Sequence, residues 1–205
     1  MFTAVNNPQG RIFAIEPCSD TYAVLEKNIS DNALKQVSSY KLALSGEKGT
    51  SKLYYDIETG NWGHSITHQF SEEGELVPTD TLDNFFEQQQ IDQCHFIKFN
   101  CEGSEFSILM NASSQTLRKV DKMLVLYHMD LFKDIHIDRV IRRLRQEGFY
   151  CEKRMVSQQG QRGWLVAFQA NGVQRVMYTL KYMAKWPLAK AKATLKRVLR
   201  LLRGA

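Results

Sequence analysis

The stretch IKFNCEGSEFSIL, residues 97–109, decides the fold. Its first half belongs to CHFIKFN (94–100), a short apolar run with β-branched and aromatic residues that reads as a buried strand. Its second half opens SEFSILMNASSQTL (104–117), which reads as a helix. Between the two lie Glu102, Gly103 and Glu105, two carboxylates three positions apart across a glycine. Acids in the first turn of a helix are favoured by its dipole, by about 0.3–1 kcal/mol each. The pair therefore either starts the helix or faces a site. Ligands of open parallel sheets bind outside the carboxyl ends of the strands, which is where this pair falls.

Working outward, the strand-then-helix pattern repeats. RIFAIEP (11–17) reads as a strand after the turn signals Pro8 and Gly10, and SDTYAVLEKNISDN (19–32) as a helix capped by Ser19 or Asp20. QVSSYKLALS (36–45) reads as one strand. GTSKLYYD (49–56) and NWGHSITHQF (61–70) read as a strand pair joined through Asn61 and Gly63. TDTLDNFFEQQQ (79–90) is a short helix capped by Thr79 or Thr81, KMLVLYHMD (122–130) a buried strand, and IDRVIRRLRQEGF (137–149) an amphipathic helix ending at Gly148. YCEKRMVSQ (150–158) and GWLVAFQA (163–170) close the pattern as a strand pair around Gly160 to Gly163. Strands alternating with helices predict an α/β fold, mostly parallel, with an antiparallel C-terminal hairpin.

The 205 residues suit one domain with an appendage. Cys18, Cys94, Cys101 and Cys151 are scattered, without metal-ligand spacing, so no metal is expected and the cysteines read as reduced ones of a cytoplasmic protein. No apolar run approaches the roughly 18 residues of a membrane span. The net charge of +5 is unevenly spread: nine Lys or Arg and no acid lie in 173–205, leaving 18 basic against 22 acidic residues elsewhere. A domain over residues 1–171 is thus followed by a basic tail over 172–205, read as one or two helices broken near Pro187.

Glu16 follows an apolar strand, where a carboxylate can accept hydrogen bonds from the vicinal hydroxyls of a ribose or can simply cap the next helix. His128, at another strand end, is a candidate general base or a structural histidine. His64 lies in a glycine-flanked stretch that can fold over a site, and His95 reads as packed within a strand. No glycine-rich phosphate loop of either common type occurs.

Taken in order, IEPCSDTYAVLEKN, LALSGEKGTSKLY, DTLDNFF, IKFNCEGSEFSIL and VLYHMD resemble the FkbM-type S-adenosylmethionine-dependent methyltransferases, over about residues 2–168. The most specific piece is IKFNCEGSEFSIL, similar to that family's I-K-x-D-x-E-G-x-E-x-x-x-L. The resemblance implies a Rossmann-like sheet, S-adenosyl-L-methionine as cofactor, and methyl transfer to an oxygen, typically a sugar hydroxyl of a glycan or glycosylated metabolite. It places Glu16 and Pro17 at the cofactor ribose and Ala43 and Leu44 beside the adenine. It places Asn100, Glu102, Gly103 and Glu105 near the methyl group. Methyl transfer to a hydroxyl also needs a group to remove its proton, for which His128 and Glu102 are the candidates. The family usually has Asp where Asn100 stands, and an acid where Leu126 stands. It also opens with a strand and glycine-rich turn that MFTAVNNPQG does not show, so an N-terminally incomplete domain is expected, with a gap between the strands ending at Glu16 and Asn100. The alternative function is a non-catalytic remnant of the fold serving as a binding or membrane-surface module.

The tail lies beyond the resemblance. Leu195, Val198, Leu199 and Leu202 line one helical face, and Lys192, Lys196, Arg197, Arg200 and Arg203 crowd the rest. That pattern predicts peripheral contact with an anionic membrane, at the inner face for a cytoplasmic protein. The tail lacks the stacking aromatics of single-strand binders, and no specific nucleic acid is expected.

Overall fold

The computed structural model describes residue 4, residues 6–57, 63–129, 136–155 and 161–170, and residue 177. The strands are β1 (Ile12–Ile15), β2 (Val37–Tyr40), β3 (Ala43–Ser45), β4 (Gly49–Tyr54), β5 (Gly74–Thr81), β6 (Ile97–Phe99), β7 (Lys122–His128), β8 (Phe149–Met155) and β9 (Arg162–Gln169). The helices are α1 (Ser19–Asp31), α2 (Leu82–Gln88), α3 (Ser104–Asn111), α4 (Ser114–Arg118) and α5 (Ile137–Gln146). The tail apart from Met177, including its five named cations, Asn61, and the opening residues 1–3 lie outside the described residues.

The fold is α/β with mixed ladders, compatible with a Rossmann-like arrangement. β1 pairs β2 in parallel, from Ile12 opposite Val37 to Ile15 opposite Tyr40. A second sheet runs β3-β5-β4, parallel between β3 and β5 and antiparallel between β4 and β5. A third runs β6-β7-β9-β8, with β6 and β7 parallel and the closing hairpin antiparallel. The expectation of a mostly parallel sheet is corrected: parallel and antiparallel ladders are equally represented among the described residues. No ladder joins β1 to β6 among the described residues. Both nevertheless serve one core, because Phe13 and Ile15 pack against the cluster that contains Phe99, Val125 and Leu165.

Three local differences have physical reasons. The segment 36–45 is two strands, because Tyr40 stacks edge-on against Phe85 while Ala43 packs with Cys18, Leu53 and Val77. Lys41 and Leu42 carry the chain from the first sheet to the second. The partner of β4 is β5, not the segment 61–70, whose described residues 63–70 contribute the single bridge Tyr54–Ser65. Pro78 is tolerated within β5 because β3 pairs only with Thr79 to Thr81, so Pro78 has a neighbour on one side alone. The helix expected over 104–117 breaks at Ala112, which is extended, and restarts where Ser113 accepts a hydrogen bond from the Thr116 N–H. His95 is exposed rather than packed.

Candidate active site

The carboxyl ends of β1, β6 and β7 converge. β7 ends in His128, which is 3% exposed. After β6 the backbone turns sharply, with Glu102 at φ 45° and Gly103 at φ 107°. Glycine meets that requirement at position 103 without a Cβ penalty, and a non-glycine residue held at positive φ beside it is the kind of constraint found at functional sites. The turn aims Glu102 back at the histidine: Glu102 Oε2 lies 3.2 Å from His128 Nε2. On the other side of the ring, Glu105 Oε1 lies 3.1 Å from Nδ1. Glu105 is buried, and its Oε2 accepts the Gly103 N–H at 2.9 Å. Glu105 stands in the first turn of α3 and also contacts the His128 ring.

The segment 63–68 lashes this turn down. The Ser65 hydroxyl donates to the Glu102 carbonyl at 2.7 Å, and the Thr67 hydroxyl reaches the same oxygen at 3.3 Å. Gly63 is buried against the acids; a Cβ there would stand 3.3 Å from Asp56 Oδ2 and 3.6 Å from Glu102 Oε2. His64 accepts the Asp56 N–H through Nδ1 and packs its ring against Tyr55, so it belongs to this covering segment.

Glu16 follows β1 and is half-buried. Its Oε1 accepts the Cys18 N–H at 2.9 Å. Burial pushes its carboxyl above the ordinary range, the Cys18 N–H offsets part of that, and the nearby Glu75 charge adds to it. Pro17 is half-buried beside it. Ala43 is brought close through Cys18, with which it packs, and Leu44 turns instead toward the main core.

The start of α1 corrects another expectation. Its N-cap is Cys18, which makes no side-chain cap. The Ser19 N–H donates 2.6 Å to Glu75 of β5, and the Ser19 hydroxyl donates to the other oxygen of the same carboxylate. Burial would raise Glu75, yet these two bonds, the Tyr55 hydroxyl and the Lys41 charge hold it below the ordinary range. A recess of about 180 Å³ opens beside this network, lined by Cys18, Asp20, Tyr55, Ile57, His64 and Glu73. The larger recess, about 540 Å³, lies at the opposite ends of the strands between Arg11 and Lys119, away from the paired acids.

Cys101 joins the two halves. Burial, with the charges of Glu105, Glu102 and Glu16, pushes its thiol up to about 12, so it stands as a neutral thiol among three carboxylates. Asn100 is exposed at the end of β6. The structure thus brings Glu102, Glu105 and His128 into contact and sets Glu16 within electrostatic reach of the same thiol. Reasoning from sequence missed Glu105 as a partner of the ring, Asp56 and Ser65 around Glu102, and Glu75 at the head of α1. Among the described residues no group of three or more His, Cys, Asp or Glu is arranged to hold a metal ion.

Fold and site define an α/β domain with a cluster of acids and a histidine at the carboxyl ends of its parallel strands. Residues 1–151 match the family described as Methyltransferase FkbM domain, and the chain belongs to that family of methyltransferases. No curated protein and no solved structure matches the chain.

Proposed function

We propose that the domain is an O-methyltransferase that uses S-adenosyl-L-methionine and acts on a sugar hydroxyl of a glycan or glycosylated metabolite. The observation that carries the reading is the Glu102–His128–Glu105 contact at the same strand ends as Glu16, within a family of methyltransferases. Glu16 fits a ribose on chemical grounds. Its Oε1 is engaged by Cys18, and Oε2 has no hydrogen-bond partner among the described residues. A carboxylate so placed accepts from hydroxyl donors and gains most where burial has removed water. Ala43, packed beside Cys18, would flank the adenine, while Leu44 packs into the main core. The bound cofactor supplies an electrophilic methyl group. The chain's own part is to seat the acceptor hydroxyl and to receive its proton on the Glu102–His128 pair.

Calorimetric titration with S-adenosylhomocysteine tests this reading. Saturable binding, weakened in Glu16→Ala, is expected; a folded protein that shows no binding overturns it. A second reading, a binding module that keeps the fold without catalysis, draws on the lack of a ladder between β1 and β6 among the described residues. That seam runs beside the expected cofactor cleft. The same titration separates the two.

We also propose that the basic tail makes weak contact with anionic membranes through Lys192, Lys196, Arg197, Arg200 and Arg203. Among the described residues no helix is long and apolar enough to cross a membrane. Changing these five residues to Gln should abolish low-salt co-sedimentation with vesicles rich in phosphatidylserine. Equal sedimentation of both proteins rejects it.

A further inference from the structure

The Glu105–His128–Glu102 row can be counted in protons. A neutral imidazole has one N–H donor and one bare nitrogen, and an ionised carboxylate only accepts. Here each ring nitrogen faces a carboxylate oxygen, at 3.1 Å on Nδ1 and 3.2 Å on Nε2. Two contacts of this kind are both hydrogen bonds only if the row holds two protons. Either both sit on the ring, or one sits on the ring and one on a carboxyl. With a single proton, a bare nitrogen lone pair would point at a carboxylate in a site where the ring is 3% exposed, an unpaired contact that burial makes costly.

The two ends of the row are not equivalent. The Glu105 side chain is 1% exposed, and its two oxygens are used by Gly103 N–H and by the ring. The Gly103 N–H fixes Oε2 as an acceptor, and an ionised Glu105 can then only accept from the ring through Oε1. The Glu102 side chain is 15% exposed, so it is the end of the row that solvent reaches. The other charged or titratable groups nearby are mostly acids: Asp56 across Gly63, and Glu16 beyond the neutral Cys101 thiol. Arg162 lies opposite His128 in the β7–β9 ladder and is itself exposed.

We infer that Glu105 is a positioning residue that keeps a proton on His128 Nδ1, so that the exchangeable proton of the site lies in the hydrogen bond between His128 Nε2 and Glu102. On the methyl-transfer reading, this makes Glu102, rather than the ring, the group that meets the acceptor hydroxyl. The proton count itself does not depend on that reading.

Long-range ¹H–¹⁵N correlation on histidine-labelled, ligand-free protein tests the inference. Signals are assigned by loss in His128→Gln or, should that variant not fold, by replacing the other four histidines one at a time. At about pH 8.5 an ordinary imidazole, with a pKa of about 6.5, is neutral with one bare nitrogen. For His128 we expect Nδ1 protonated and Nε2 protonated or at a shift midway to protonation. Glu102→Gln should leave Nδ1 protonated and bare Nε2; Glu105→Gln should remove the Nδ1 preference. A wild-type ring with bare Nδ1, or a ring spectrum unchanged by Glu105→Gln, overturns the assignment. The experiment needs neither cofactor nor acceptor, so absence of S-adenosylhomocysteine binding would sink the methyltransferase reading without touching this result.

Discussion

The strand ends that carry Glu16 and His128 rest on unequal supports. On the β6–β9 side, Leu109, Val125, Leu144, Leu165 and Ala167 are fully buried, and α5 places Ile137, Val140, Ile141 and Leu144 on one face over the sheet. On the β1–α1–β2 side, no residue of α1 is buried and all four residues of β1 are only half-buried. Tyr22, Leu25 and Ile29 fall at helical spacing on α1, yet each remains partly exposed. Glu102, Glu105 and His128 therefore stand on the dense side, and Glu16 on the light one. Segments with few buried apolar contacts open locally at lower free energy. On the proposed function, the acid–histidine row would stand on a rigid wall and the ribose-binding Glu16 on a compliant one.

Core truncation is the strongest way to break this comparison. Leu144→Ala should cost about 2–5 kcal/mol, since a fully buried leucine leaves a cavity when shortened. Leu25→Ala, from a half-buried site on α1, should cost about 1 kcal/mol or less. Urea unfolding of both variants measures the difference, and equal costs would show the two sides to be equally packed.

Ligand binding sharpens it next. Glu16→Ala should weaken S-adenosylhomocysteine by about tenfold or more, roughly 1.4 kcal/mol, the scale of a lost hydrogen bond to a charged group. If the light wall closes on the ligand, amides of β1 and α1 should gain more hydrogen-exchange protection on binding than those of β7 and β9. The reverse order would place the compliance on the wrong wall.

How much of this was legible in the sequence follows the same division. Local patterns were readable: the apolar spacing of IDRVIRRLRQ, the glycine-bounded closing hairpin, and the acids and histidine at strand ends. Long-range pairings were not. Glu75 caps Ser19 from 56 positions away, and Glu105 finds His128 from 23 positions away. No local spacing encodes either. Glu105 was ambiguous because an acid in the first turn of a helix already has a sufficient reason in the dipole. β5 was hidden because Pro78 and the Thr-Asp-Thr that follows carry turn and cap signals, which the one-sided pairing at Pro78 overrides.

The smallest expected effect is a difference of sign in pH dependence. Glu16 is pushed above the ordinary carboxyl range by burial. The fold therefore favours its neutral form, and that stabilisation is complete below the ordinary value and lost as pH rises through the raised one. Glu147, at the end of α5, is held below the ordinary range by the Ser114 hydroxyl and the Arg143 guanidinium, against some cost of burial, with Arg118 adding its charge. Its stabilisation is present above the ordinary value and lost as pH falls through the lowered one. Glu75 sits near Glu16 with a lowered value of its own, so whole-region measurements would mix the two signs, and single variants separate them. Relative to wild type, Glu16→Gln should gain stability as pH rises from about 3 to about 7, and Glu147→Gln should lose it over the same interval. Denaturant midpoints across that interval provide the check. Two differences that run in the same direction would mean that Glu16 is not held in a desolvated position on the light wall, and the electrostatic half of the comparison would fail.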